Sequence, residues 1–364
     1  MSVEGMSPLR IGDLVASLPI VQGGMGVGIS LSGLASAVAR EGGVGVIATA
    51  GIGMFEPDFA TNFPEANVRA LRREIRRTKS KTDGIIGVNI MVALTNFDDM
   101  VRVSIEEGVD VIFSGAGLPL SLPKLRPEGS HTKLVPIVSS ARAAAIICKR
   151  WTERYGCLPD AFVVEGPLAG GHLGFRPEQL DDPAYALERL VPRVIEAVRP
   201  YSERYGREIP VIAAGGIYTG ADIHRFFKLG AAGIQMATRF VATHECDASL
   251  RFKQAYIKAR KEDIVIIKSP VGLPGRAIRN AFLEAVERGE RKPFTCPYHC
   301  IRTCDFRRSP YCIAMALTNA QRGNLEEGFA FAGAKAWRVR KIVSVRELIQ
   351  TLVEEYQEAA QQAS

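Results

Sequence analysis

The sequence predicts an α/β chain of the (β/α)8, or TIM, barrel type, with a small and mostly helical capping subdomain inserted near the C-terminus. Three observations predict it. Eight short apolar runs alternate with helix-compatible stretches before about residue 245, most runs end in glycine, and the alternation stops after Phe240. Alternating strand and helix patterns argue for a parallel sheet. A dinucleotide-binding fold would gather its glycines in the first βα turn, whereas here they recur around the chain. Eight units suit a closed barrel better than an open sheet.

The first run, 19–22, ends in Gly23-Gly24-Met25-Gly26, and a helix is expected over about 32–41. Runs at 44–48 and 85–90 follow, the latter carrying Asn89 near its end. Residues 109–113 lead into Gly115-Ala116-Gly117, and 134–138 into Ser139-Ser140. The sixth run, 161–164, stops at Glu165-Gly166. The seventh, 210–214, leads into Gly215-Gly216, and the eighth, 232–236, into Ala237-Thr238. Beyond them, 247–260 and 277–288 read as helices with a loop at 269–275 between, and a last helix starts near Ser344. The expected division is a barrel over 1–244, a helical, cysteine-rich cap over 245–335, and a C-terminal helix packing on the barrel over 336–364.

The chain has 364 residues, 47% hydrophobic and 23% charged, which suits a globular protein with a full core. No apolar run has the length of a membrane span. The N-terminus lacks the layout of a signal peptide, so a cytoplasmic location is the expectation. The net charge of +7 includes a basic run at 69–81. Its bland reading is a solvated helix face. Its sharper reading is a landing patch for an acidic acyl carrier protein or a phosphorylated cofactor. No nucleic-acid motif accompanies the charge. Oligomeric state is left open.

Two stretches carry chemistry. The loop after the sixth run holds Gly170, Gly171 and Gly174 around His172. Glycines let backbone approach a flat or phosphorylated ligand, and the C-terminal ends of barrel strands are where such folds keep their chemistry. A neutral imidazole in that place can take or deliver a proton near pH 7; the plainer alternative is a structural histidine bonded to backbone. The second stretch is the pair of turns after runs seven and eight, at Gly215-Gly216 and around Gln235, Met236, Ala237 and Thr238. Those ordinal positions are common phosphate sites in barrels.

These pieces, in order, resemble the nitronate monooxygenase family, which also includes the flavin-dependent type II enoyl-acyl-carrier-protein reductases. The matching motifs are Pro19-Ile-Val-Gln-Gly-Gly-Met25, Gly87-Val-Asn-Ile90, Gly115-Ala-Gly117, Glu165-Gly-x-x-x-Gly-Gly-His172, Ala213-Ala-Gly-Gly-Ile217 and Gln235-x-x-Thr-Arg-Phe240. The resemblance implies a TIM barrel with FMN at its mouth. It implies that Gly23, Gly24 and Met25 lie against the isoalloxazine ring and that Asn89, Glu165 and Gly170 meet the polar edge and ribityl chain. It places the phosphate on Gly216 and Gln235 to Thr238, and makes His172 the catalytic histidine. Leu168 departs from the acidic or polar residue usual at its place.

The implied activity is oxidation of a small nitronate-like substrate, with His172 as base and O2 as acceptor. Two alternatives stand beside it. One is an NAD(P)H-dependent enoyl-thioester reductase; the other is a non-catalytic flavin- or phosphate-binding barrel. A cysteine cluster adds a separate expectation. Cys296, Cys300 and Cys304 recur at i, i+4 and i+8, which a helix would place on one face, and Cys312 follows. Four thiolates of this kind suit zinc or an iron–sulfur cluster, against a bland reading as buried packing. Cys148, Cys157 and Cys246 are isolated.

Overall fold

The computed structural model describes residues 5–290, 292–296 and 298–363. It opens with an antiparallel hairpin of β1 (Leu9–Ile11) and β2 (Leu14–Ala16). Strands β3 (Ile20–Gln22), β4 (Gly45–Ala48), β5 (Ile86–Met91), β6 (Val111–Gly115), β7 (Lys133–Val138) and β8 (Phe162–Glu165) follow. After the two-residue strand β9 (Gly171–His172) come β10 (Val211–Ala214) and β11 (Gly233–Met236). The parallel sheet runs β3-β11-β10-β8-β7-β6-β5-β4. A parallel bridge between Val21 and Val44 closes it into a barrel. The eight apolar runs expected from the sequence are these eight staves.

Why the runs read as continuously apolar is visible in the packing. Successive strand residues point to opposite faces, and both faces of a barrel stave are buried. Val46, Val111, Phe113, Val135, Val163 and Ile212 fill the interior. Their neighbours Ile47, Ile112, Leu134, Phe162, Val164 and Val211 face the surrounding helices. Leu9, Ile11 and Ala16 of the first hairpin belong to the interior cluster.

The helix Phe63–Lys79 carries most of the basic run. Arg69, Arg72, Arg73, Arg76 and Arg77 reach Asp58, Glu106, Glu107, Glu56 and Glu74, so this face pairs its charges within the chain. Among the described residues no helix is long and apolar enough to cross a membrane. The terminal helix Val345–Gln362 buries Val345, Leu348, Ile349, Leu352 and Tyr356. That spacing is one amphipathic stripe, and it packs on the helix Gly220–Lys228.

The region after the barrel differs from its sequence reading. Helices do occur at Leu250–Lys258, Ala281–Glu287 and Ile313–Gln321. Between the first two lies a β-hairpin of β12 (Ile264–Lys268) and β13 (Pro274–Ile278), where a loop and the start of a helix were expected. The β-branched run Ile264-Val-Ile-Ile267 suits a strand. Its sheet is completed by β9, about a hundred residues earlier in the chain, so no local pattern announces it.

Leu352 is fully buried on the terminal helix. Leu352→Ala should cost about 2–5 kcal/mol in denaturant unfolding, the usual range for a buried leucine truncated to a cavity. A change near zero would mean that this helix does not contribute to the cooperative core.

Candidate active site

The C-terminal ends of the staves surround a cavity of about 300 Å³, within the size range of small-molecule and cofactor sites. Gly23, Gly24 and Met25 line it from the loop after β3, Asn89 from β5, and Glu165 from the end of β8. Gly170, Gly171 and His172 come from the loop beyond β8. Gly215 and Gly216 follow β10, and Gln235, Met236, Ala237 and Thr238 close the ring. The structure thus brings every residue expected at the flavin site and the catalytic position to one cavity.

Local chemistry sets this lining. Gln22 is fully buried. Its Nε2 donates to Gly23 O at 2.6 Å while its Oε1 accepts from Val46 N at 3.0 Å, which pins the first glycine turn to the neighbouring stave. Gly24 passes so close to Asn89 that an added Cβ would stand 2.4 Å from its Cβ. A side chain on Gly170 would meet the backbone of Ala332 and Gly333 at 2.6 Å. Both positions exclude any residue larger than glycine.

The cavity wall also bears polar groups with no protein partner. Among the described residues, no hydrogen bond reaches the side chains of Asn89, Glu165, Gln235 or Thr238, and all four line the cavity. Burial raises the Glu165 carboxyl to about 7. Buried polar groups ordinarily find partners. These four are half-buried and face a glycine-lined cavity on a barrel's C-terminal face, which fits a flat polar cofactor with a phosphate tail.

His172 is placed by elements on both sides. Its strand β9 pairs with β13, with His172 opposite Gly275 and Gly171 opposite Arg276. Its Nε2 lies 2.7 Å from Ser269 Oγ, and its ring meets Phe331 edge-on at 5.0 Å between centroids. The Ser269 hydroxyl also accepts from Val271 N at 3.4 Å. Burial pushes the imidazole down to about 4, so it is neutral at pH 7. The pair can pass a proton in either direction between Nε2 and the hydroxyl.

The opposite wall comes from the cap and is apolar: Phe252, Ile301, Ile313, Ala314, Leu317 and Phe331. Tyr256 joins it with its hydroxyl bonded to Phe331 O. Among the described residues no lysine or arginine lines the cavity. Ser269 and this apolar wall were not identified from the sequence. The available signal was weak: residues 269–275 read only as a loop between two helices.

The helix face expected to carry the cysteines does not form. Cys296, Cys300 and Cys304 lie in irregular chain, and Cys312 caps the helix Ile313–Gln321. His299 has φ 43, incompatible with a continuous helix, so the i, i+4, i+8 face does not form. No three His, Cys, Asp or Glu side chains among the described residues group as a metal would need. All four are free cysteines, and burial lifts Cys300 to about 12. Cys300 and Cys312 pack on Val27, Met54 and Ala314, the small-hydrophobe role of buried cysteine.

The comparisons with known proteins support the class, a flavin-dependent oxidoreductase. The nitronate monooxygenase family model matches residues 9–355, and the chain belongs to that family. A Mycobacterium tuberculosis (3aS,4S,5R,7aS)-5-hydroxy-7a-methyl-1-oxo-octahydro-1H-indene-4-carboxyl-CoA dehydrogenase is 31% identical over 75% of this chain. That match spans 66% of the dehydrogenase's own length. A probable nitronate monooxygenase of Staphylococcus saprophyticus is 26% identical over 95% of this chain and 97% of its own. Among solved structures, FabK from Thermotoga maritima is 31% identical with a TM-score of 0.73, covering 95% of this chain and 94% of that one. Nitroalkane oxidase from Streptomyces ansochromogenes shares the fold at 23% identity, with a TM-score of 0.73 and 95% and 98% coverage.

The buried histidine makes a stability prediction. Its folded-state value of about 4 lies below the ordinary 6.5, so the native state binds fewer protons than the unfolded chain. This contribution is therefore present above 6.5 and lost as the pH falls through about 4. Unfolding of flavin-free protein should lose about 3 kcal/mol across that window through this group, and His172→Gln should lack that loss. Superimposable profiles would remove burial as the controlling environment.

Proposed function

We propose that the protein is an FMN-dependent oxidoreductase that oxidises a small nitronate-like substrate, with His172 as base and O2 as acceptor. The observation that carries this reading is a neutral imidazole on the wall of a glycine-lined cavity. Neutral at pH 7, it takes a proton rather than gives one, which suits the oxidative direction.

Gly23, Gly24 and Met25 would lie against the isoalloxazine ring. Asn89, Glu165 and Gly170 would meet its polar edge and ribityl chain. Gly216 and Gln235 to Thr238 would hold the phosphate, where the backbone N–H groups of Gly216 and Thr238 have no acceptor among the described residues. Two-electron chemistry is what a bound FMN supplies. The chain's part is proton handling and exclusion of water. His172 would accept the substrate proton, with the bond between its Nε2 and Ser269 Oγ holding the ring. Phe331 and the cap wall keep bulk water from the reacting carbon.

A second reading, reduction of an enoyl thioester with NAD(P)H, is favoured by that same cap wall. It is apolar and, among the described residues, has no lysine or arginine to balance a nitronate's charge. The similarity to FabK and to a carboxyl-CoA dehydrogenase points the same way.

The deciding experiment is the visible spectrum of the purified protein, followed by two additions. Bleaching of flavin bands by an alkyl nitronate, with oxygen uptake and no response to NAD(P)H, is the expected result. Rapid bleaching by NAD(P)H and turnover of an enoyl thioester would replace the first reading with the second. His172→Ala should lower kcat about 10²-fold or more with flavin content unchanged, the usual contribution of a positioned base. A protein without flavin bands would overturn both readings.

A further inference from the structure

One buried cation has no part in cofactor binding or proton transfer as described above. Arg276 lies on β13 beside Gly275, opposite Gly171 in the sheet that carries His172. It is 6% exposed. Its Nη1 donates to Pro167 O and to Ala169 O, each at 2.6 Å. Among the described residues it forms no salt bridge, and burial lowers its pKa, opposed only by the charge of Asp181. A guanidinium taken out of water without a carboxylate is costly. Its retention here is explained if the two carbonyls it holds matter.

Those carbonyls bracket Leu168 in the turn that runs straight into Gly171–His172. The turn is closed by Ala169 N donating to Gly166 O at 3.2 Å. Leu168 lies over Gly216, where an added Cβ would stand 2.7 Å from its own Cβ. Leu168 O accepts from Ala334 N at 3.1 Å, and Arg276 O accepts from Ala332 N at 3.0 Å. One residue thus ties together the hairpin, the turn ahead of the histidine and the segment that covers Gly170, its side chain holding the turn and its backbone carbonyl the segment.

We propose that Arg276 is a positioning residue for proton transfer: its two carbonyl bonds hold the 167–169 turn so that His172 Nε2 stays within reach of Ser269 and sealed from water. The proposal rests on the reading of His172 as the base. Without the clamp the turn is free to lift, and the imidazole meets solvent.

The test is a ¹⁵N-histidine NMR titration of flavin-loaded protein and of its Arg276→Met and Arg276→Lys variants, with His172→Gln assigning the signal. In Arg276→Met the His172 midpoint should rise toward the ordinary value by about one pH unit or more as water enters. The signals of His131, His224 and His244 should stay in place. Turnover should fall about tenfold or more in kcat, with KM and flavin content within about twofold, and Arg276→Lys should recover part of both effects. An unmoved His172 signal in folded Arg276→Met overturns the proposal. So does a shift shared by His224 and His244, which would report general loosening. If Arg276→Met does not fold, Arg276→Lys is judged by the same criteria. Undiminished turnover in His172→Gln overturns the base reading itself, which tells the two failures apart.

Discussion

The antiparallel pairing of β9 with β13 is the constraint on which the site depends. Two residues, Gly171 and His172, leave the barrel and become the edge of a sheet built by the hairpin β12–β13. Leu173 N extends the pairing to Pro274 O at 2.9 Å. Through it, a loop that would otherwise run free over the barrel mouth is held by backbone hydrogen bonds, which tolerate little drift in register. Ser269, at the hairpin turn, reaches the imidazole because this register brings it there.

Burial then sets the charge state of the cavity. Glu165 and His172 are both taken out of water, and desolvation moves them in opposite directions, up to about 7 and down to about 4. Each shift favours the neutral form. The result is a site with little fixed charge, in which hydrogen-bonding polar groups occupy the barrel side and apolar side chains the cap side. Such an arrangement suits a flat polar cofactor below and an apolar substrate portion above.

Much of this was legible in the residues. Barrel staves announce themselves because both faces are buried, which makes them short apolar runs, and because their ends turn at glycine. The glycine-lined cavity was legible for a related reason: backbone comes close to neighbouring segments there, and at Gly24 and Gly170 only glycine fits. The motif order around His172 added the family resemblance. The cysteines show the opposite case. Their spacing implied a helix face, but His299 takes a left-handed conformation and the segment does not continue as a helix.

The amino-acid sequence by itself determined the barrel, its glycine turns and the presence of one histidine after the sixth stave, because these follow from local periodicity and steric demand. Only the tertiary structure decided what surrounds that histidine. Ser269, Arg276 and Phe331 lie roughly a hundred residues or more from His172 in the chain. Sheet pairing between distant strands leaves no periodic trace in either one. The neutral state of the imidazole and the clamped turn therefore exist only once β13 has found β9.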